Sequence, residues 1–350
     1  MTPRDRVLKA ARHEEPDRVP LFYRDVPEVE ARLRRDLGLA TREELLEYLQ
    51  IDFRWVEPAY IGPALEEAET GHRRDIWGVE YRWVEAGHGG QWEPVAFPLA
   101  EVEDIAALDD YPWPSLEWFD FGIVDTQLRR YRDYAIMTAP GVTSPGILGT
   151  IQFLMGMERT LIDMLINPAF FQALTLRIMS FNLAFIRRLY ETAGNRIDFF
   201  RIGEDYGTQR GLLFGKPQWR ELIRPTLVEM SSIAKAHGSF YYQHTCGSVR
   251  ELIPELIDVG VDVLDPLQVR AQGMDPRELK AEFGDRLCFS GGVDEQDLLP
   301  HGTPDQVEKS VHELIQAMSP GGGFFLGPTH NLQADIPTEN ILAMYRTARS

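Results

Sequence analysis

Cysteine is scarce: Cys246 and Cys288 are the only two in 350 residues. Two thiols cannot build a disulfide framework, which favours a reducing cytosol, so a cytoplasmic location is expected. Basic residues are also in deficit, with 36 Lys and Arg against 54 Asp and Glu and a net charge of −18. That imbalance repels nucleic acid and anionic membrane surfaces, so neither is an expected partner. No apolar run reaches the roughly 18–20 residues a membrane span needs. The N-terminus, Met1-Thr2-Pro3-Arg4-Asp5-Arg6, lacks the apolar core of a secretory signal and reads as the start of a helix. Internal repeats, low-complexity tracts and linkers are missing too. No Gly-x-Gly-x-x-Gly follows the first strand-like run, which argues against a dinucleotide-binding sheet.

What is present is a 44% apolar chain with an alternating strand–helix pattern. Eight short apolar runs read as buried parallel strands: Val19–Tyr23, Ile51–Val56, Tyr134–Thr138, Ile197–Ile202, Ser239–Gln243, Val261–Leu264, Leu287–Phe289 and Gly323–Leu326. Helix starts are marked between them. Thr2 caps Pro3 for a helix through about His13, Thr41 with Glu44 and Ser248 with Glu251 form capping boxes, and Thr303-Pro304 opens another helix. Eight strands with intervening helices predict an α/β protein, a single (β/α)8 TIM-type barrel domain over residues 1–350. Trp77, Tyr81, Trp83 and Trp92 around Gly87, Gly89 and Gly90 read as a β-hairpin insertion near residues 73–99 that shields the barrel mouth.

His244-Thr245-Cys246-Gly247 ends the fifth run. An imidazole and a thiol two residues apart point off one face of a strand and can close on one ion. Their softness suits zinc. The bland alternative is a core His beside a small buried Cys. Other strand ends turn polar as well: Glu204-Asp205 after the fourth run, Asp265 and Gln268 after the sixth, Gly291-Gly292 and Asp294 after the seventh, His330, Asn331 and Gln333 after the eighth. Polar groups gathered at one end of a barrel mark a site for a small-molecule substrate. Glu204 or Asp205 is read as a fourth ligand, a group orienting a ligand imidazole, or a catalytic carboxylate. Gln268, Asn331 and Gln333 are substrate-binding candidates. Turn capping is the competing role for all of them. Gly291-Gly292 offers backbone N–H groups to an anion. Cys288 reads as a core residue.

The chain resembles the uroporphyrinogen decarboxylase superfamily, which includes corrinoid-linked methyltransferases. The marks are Arg4-Asp5-Arg6-Val7, Glu15-Pro16-Asp17-Arg18-Val19-Pro20, the His244-x-Cys246-Gly247 element, and His330-Asn331-Leu332-Gln333-Ala334-Asp335-Ile336-Pro337 leading to Glu339-Asn340. In the methyltransferase branch zinc is held by His-x-Cys and a late Cys, and His330 stands at the position of that late Cys. The resemblance therefore implies a zinc set of His244, Cys246 and His330. It also implies a methyltransferase working with a separate corrinoid protein, with a homodimer as one option for its assembly. Either a thiol would be methylated or a methyl ether demethylated. A neutral His in place of a thiolate leaves the ion more electrophilic, which favours the ether, and Trp77, Trp83 and Trp92 could wall an aromatic substrate. The decarboxylase branch also has a His at this position, which keeps open a metal-free lyase with His330 and an acidic group handling protons. Those enzymes grip substrate carboxylates with an early Arg-rich segment and a loop Asp. Arg24 and Asp25 match it only in part. A catalytically idle binding or assembly subunit is the third reading.

Overall fold

The computed structural model describes residues 1–67, 71–86, 89–139 and 146–349. Its strands in chain order are β1 (Phe53–Val56), β2 (Ala59–Tyr60), β3 (Glu66–Glu67), β4 (His72–Arg74), β5 (Glu80–Ala86), β6 (Gly89–Ala96), β7 (Phe119–Asp120), β8 (Ala135–Thr138), β9 (Phe199–Gly203), β10 (Phe240–His244), β11 (Val263–Leu267), β12 (Cys288–Val293) and β13 (Phe324–Pro328). Seven of them form one curled parallel sheet in the order β1-β8-β9-β10-β11-β12-β13. Seven of the eight expected runs supply these strands.

The eighth run, Val19–Tyr23, is corrected: it makes an isolated bridge from Leu21 to Leu326 rather than a strand. Pro20 has no N–H to give to a ladder, which keeps the pairing short. The bridge nevertheless joins the two edges of the sheet. Phe22 N–H donates to Leu326 O (2.8 Å), Leu326 N–H donates to Pro20 O (2.8 Å), and Asp52 N–H donates to Leu21 O (3.1 Å) just before β1. The arrangement is compatible with a TIM-type barrel whose first strand is reduced to one bridge.

Inside the curl, Phe22, Phe53, Met137, Phe199, Tyr242, Val263, Cys288 and Phe325 pack as one buried cluster. The helix Pro3–Ala11, capped by Thr2 and two residues shorter than expected, plugs its lower end with Val7, Ala10 and Ala11. The opening motif does its work here. Arg6 pairs with Asp17 (2.6 Å) and Asp52 (2.7 Å), Arg18 reaches Asp52 (2.7 Å), and Arg4 pairs with Asp198 (2.9 Å). Asp52 is fully buried and also accepts the Leu21 N–H at 2.7 Å.

Of the two expected capping boxes the one at Thr41 forms, and the helix start at Thr303 carries a capping box with Gln306 as well. Ser248 does not cap. Its hydroxyl donates to Gln272 O (2.6 Å), and a 3-10 turn precedes the short helix Ile253–Asp258. Helix Pro168–Ala193 is long and apolar enough to cross a membrane, contrary to the reading of the apolar runs, because scattered polar residues break its runs without breaking its apolar face. Of its most apolar window 61% is buried inside the protein, as in a core helix. The region of Arg73–Leu99 carries β5 and β6, which with the preceding β3 and β4 form a four-stranded antiparallel sheet; Gly87 and His88 lie outside the described residues.

Asp52→Ala should leave two guanidinium groups without their shared buried carboxylate. Breaking such a pair costs about 3–5 kcal/mol, and urea unfolding followed by circular dichroism should show it. A loss below about 1 kcal/mol would mean that the knot does not hold the sheet edges together.

Candidate metal centre

Strand β10 ends on His244, and the chain leaves it through Thr245, whose hydroxyl accepts the Tyr206 N–H (3.0 Å). That turn places Cys246 Sγ 3.5 Å from His244 Nε2. His330, two residues beyond β13, brings its ring centroid to 6.0 Å from that of His244. Ligand atoms of His244, Cys246 and His330 all lie within 4.8 Å of one another.

The donor set fits zinc on a second count. A tetrahedral ion with ordinary Zn–S and Zn–N bonds separates sulfur from nitrogen by about 3.6 Å, which is the spacing of Cys246 and His244. His244 Nδ1 lies 2.6 Å from Asp265 Oδ2 and 3.1 Å from Arg24 Nη1; the carboxylate contact is the shorter, and with the proton on Nδ1 the Nε2 lone pair faces the cluster. Asp265 is itself fixed by Arg24 (3.0 Å), whose other terminal nitrogen donates to Thr329 O (3.0 Å). Arg201 lies 4.0 Å from the same carboxylate.

Electrostatics agree with a neutral-imidazole site. Burial, helped by the Arg24 charge and His244, lowers His330 to about 4. Burial also lowers His244, against the pull of Asp265. Although burial alone would raise it, Arg24 and His244 hold Asp265 well below the usual carboxylate range. Burial and Asp205 push the Cys246 thiol up, so it is protonated in the absence of a cation. A bound cation reverses that preference.

Asp205 stands beside this group. Its Oδ1 accepts the Cys246 N–H (2.8 Å) and lies 3.9 Å from His244 Nε2. Glu204 points elsewhere. Its carboxylate accepts the backbone N–H groups of Ile147 and Leu148 at the start of helix Gly146–Met155, and the Tyr206 hydroxyl donates to it at 2.5 Å. Gly146 has φ +73°, and a Cβ there would overlap the Glu204 side chain, so glycine is what lets the carboxylate reach the helix end. In this arrangement Glu204 caps a helix and does not join the ligand cluster.

The other candidates divide similarly. Gln268 Oε1 accepts the Gly247 N–H (2.5 Å) and so braces the Cys246 loop. Asp294 accepts from Gln296 N–H (3.0 Å) and Arg270 (3.3 Å), capping its own turn. Asp25 is tied to Tyr23 (2.6 Å) and Arg42 (3.0 Å), with its side chain only 2% exposed. Asn331 is half-buried and Gln333 exposed on the loop that carries His330. Gly291 and Gly292 lie within β12 rather than after it, and Leu314 packs where a Gly292 Cβ would stand. Gly292 thus serves close packing against Leu314. Trp83 and Trp92 pack edge-on against each other at 5.5 Å.

Two groups escaped the sequence reading in these roles. Asp265 appeared there only as a polar strand end, although it holds His244. Glu295, half-buried next to Asp294, is raised to about 7 by burial and by Asp294, with Arg24 opposing, and its N–H donates to Thr329 Oγ1 (3.2 Å). The acidic pair at a strand end was the available signal for the second. Nothing local marked the first.

The fold and the site define an α/β protein built on a curled parallel sheet, with its titratable groups gathered at the C-terminal strand ends. The chain belongs to the uroporphyrinogen decarboxylase family: the model "Uroporphyrinogen decarboxylase (URO-D)" matches residues 93–350, and this membership points to an enzyme. No curated sequence matches the chain. Among solved structures it is similar to a methyltransferase from Methanosarcina mazei, with TM-score 0.69 and 16% identity over 100% of this chain and 98% of that one, which supports the shared fold. A structure titled IOLI protein with a binding zinc atom aligns over 49% of this chain and 68% of that one, with 17% identity and TM-score 0.30. That is too low to carry an argument.

Glu204 yields a pH prediction. Burial raises its folded pKa from 4.5 to about 7. Its neutral form is the better-tolerated one, so its contribution is complete below about pH 4.5 and is lost as pH rises through about 7. Relative to Glu204→Gln, the wild type should lose about 3 kcal/mol of stability between pH 4.5 and 8, read by denaturant titration at several pH values. Parallel pH profiles for the two proteins would refute the assignment.

Proposed function

We propose that the protein is a zinc-dependent methyltransferase that works with a corrinoid carried by a partner protein. The observation that carries this reading is the convergence of His244, Cys246 and His330, with His244 already pinned by Asp265 in the tautomer a metal ligand needs. His244 Nε2, Cys246 Sγ and one imidazole nitrogen of His330 would hold the ion, and Asp205, bonded to the Cys246 N–H, would serve as fourth ligand or orient a group there. Zinc in this site would supply Lewis acidity, either to a thiol that accepts a methyl group or to the oxygen of a methyl ether that gives one up.

The chain's own residues do the rest. Arg24 and Asp265 fix the His244 ring. Gln268 and Asp205 fix the backbone around Cys246 by taking the N–H groups of Gly247 and Cys246. Glu295 offers a carboxyl near neutrality at the same mouth, able to hold or release a proton as substrate arrives. With two neutral imidazoles and one thiolate the site keeps more positive charge than a two-thiolate set, which favours ether demethylation over thiol methylation.

Cys246→Ser removes the thiolate with little change in volume. Metal content should fall from about one zinc per chain, while the fold survives. Methyl transfer from a methoxylated aromatic compound should require an added corrinoid protein and should fall with metal occupancy. Turnover without corrinoid, or an unimpaired Cys246→Ser enzyme, would instead favour the metal-free lyase in which His330 handles protons.

Asp265→Asn tests the positioning argument separately. Chelator competition should show zinc affinity lowered by about 10–100-fold, with the d–d spectrum of the cobalt-substituted protein altered. Unchanged affinity and spectrum would show that the carboxylate does not set the imidazole.

A further inference from the structure

A second feature of the molecule shares no lining residue with the metal centre. A cavity of about 630 Å3 opens beside the ends of β1 and β8, at Val56 and Thr138, under residues of the antiparallel sheet. Its size is within the roughly 300–1,000 Å3 of small-molecule sites. None of His244, Cys246, His330, Asp205 or Asp265 lines it.

Its wall carries six aromatic rings, Tyr60, Trp77, Tyr81, Phe119, Phe153 and Phe185. They are braced by edge-on contacts: Tyr60 with Phe119 at 5.5 Å, Phe119 with Phe185 at 5.2 Å, and Tyr81 with Phe153 at 6.1 Å. Such rings hold their places and present negative faces.

Three charged residues complete the lining. The Arg73 guanidinium is stacked on Tyr81 (5.3 Å) and Trp92 (4.7 Å). Asp75 is occupied by the N–H groups of Trp77 (2.9 Å) and Val79 (3.0 Å) and by the Tyr81 hydroxyl (3.0 Å). Glu57 is different. Its backbone N–H is held by Gln127 Oε1 (3.0 Å), but among the described residues its carboxylate has no hydrogen-bond or ion-pair partner. The side chain is accessible to solvent, yet the protein packed around it raises its carboxyl above the ordinary range. Both hold for a group on the wall of a cavity.

We propose that this cavity binds a small organic cation of the N-alkylated ammonium class, with the aromatic rings around its alkyl groups and Glu57 opposite its charge. An ammonium carrying methyl groups satisfies both halves of the wall, since ring faces attract cations and the carboxylate supplies the missing counter-charge. An anion would meet the unpaired Glu57, and the Arg73 guanidinium that could attract it is already stacked on Tyr81 and Trp92. A neutral hydrocarbon would fill the volume but leave that carboxylate desolvated and unmatched. A bare metal ion would have to shed its water against apolar rings for a single carboxylate. The inference is independent of whether His244, Cys246 and His330 hold zinc.

Isothermal titration of the protein with choline, tetramethylammonium and the neutral choline analogue 3,3-dimethyl-1-butanol tests it. Both cations should bind saturably at one site per chain, and the neutral analogue about tenfold or more weakly. Glu57→Gln should weaken choline by about tenfold while its circular dichroism and Tm match the wild type. Cys246→Ser should bind choline as the wild type does. Absence of saturable binding, equal affinity for the neutral analogue, or an unaffected Glu57→Gln protein would each overturn the proposal. So would loss of binding in Cys246→Ser, which would place the ligand at the metal centre instead.

Discussion

Asp265, with no exposed surface, is held between the Arg24 guanidinium, the His244 imidazole and, at longer range, Arg201. Buried ions are tolerated only when they are paired and hydrogen-bonded, so each member of this group depends on the others. Arg24 leads away from the bridge at Leu21, His244 ends β10, Asp265 sits in β11, and the Thr329 carbonyl that takes the second Arg24 bond follows β13. One carboxylate thus ties four points around the strand ends. It also decides which nitrogen of His244 carries a proton. Shape at the mouth and chemistry at the mouth are set by the same interaction.

Neighbouring residues are put to opposite uses by the geometry of extended chain. Glu204 and Asp205 follow β9, and successive side chains there diverge. Glu204 turns to the N-terminus of helix Gly146–Met155, where backbone N–H groups and the Tyr206 hydroxyl receive it. Asp205 turns to the Cys246 loop. A carboxylate that braces the scaffold and one that faces the cluster therefore stand side by side in the sequence, and type and spacing alone do not separate them.

The strand runs were legible because buried parallel strands are short, apolar and β-branched, and seven of eight became strands. The first did not, since Pro20 lacks the donor that a ladder requires. His244 and Cys246 were legible because an i, i+2 pair at a strand end shares a face. Joining His330 to them took family resemblance, for nothing in the local pattern links residues so far apart. Asp265 was visible as a polar strand end, but its bond to His244 lies across two strands, and register is not written in either strand by itself. The failed cap at Ser248 has a similar cause: a tertiary acceptor, Gln272 O, outcompeted the local one.

Arg24 and Thr329 are 305 residues apart in the chain, and Asp265 lies 241 residues from Arg24. Contacts with such separations form only after much of the loop-closure entropy has been overcome. The Arg24 bonds of this cluster therefore cannot exist in a partly folded chain whose edges have not met, whereas the His244–Asp265 contact spans only 21 residues. A nascent polypeptide emerging from its N-terminus would carry Arg24 long before any partner for it, and the complete cluster would assemble last. A probe sensitive to burial of the Arg24 guanidinium would consequently report when the ring of strands has shut, making its two bonds a clock for the end of folding.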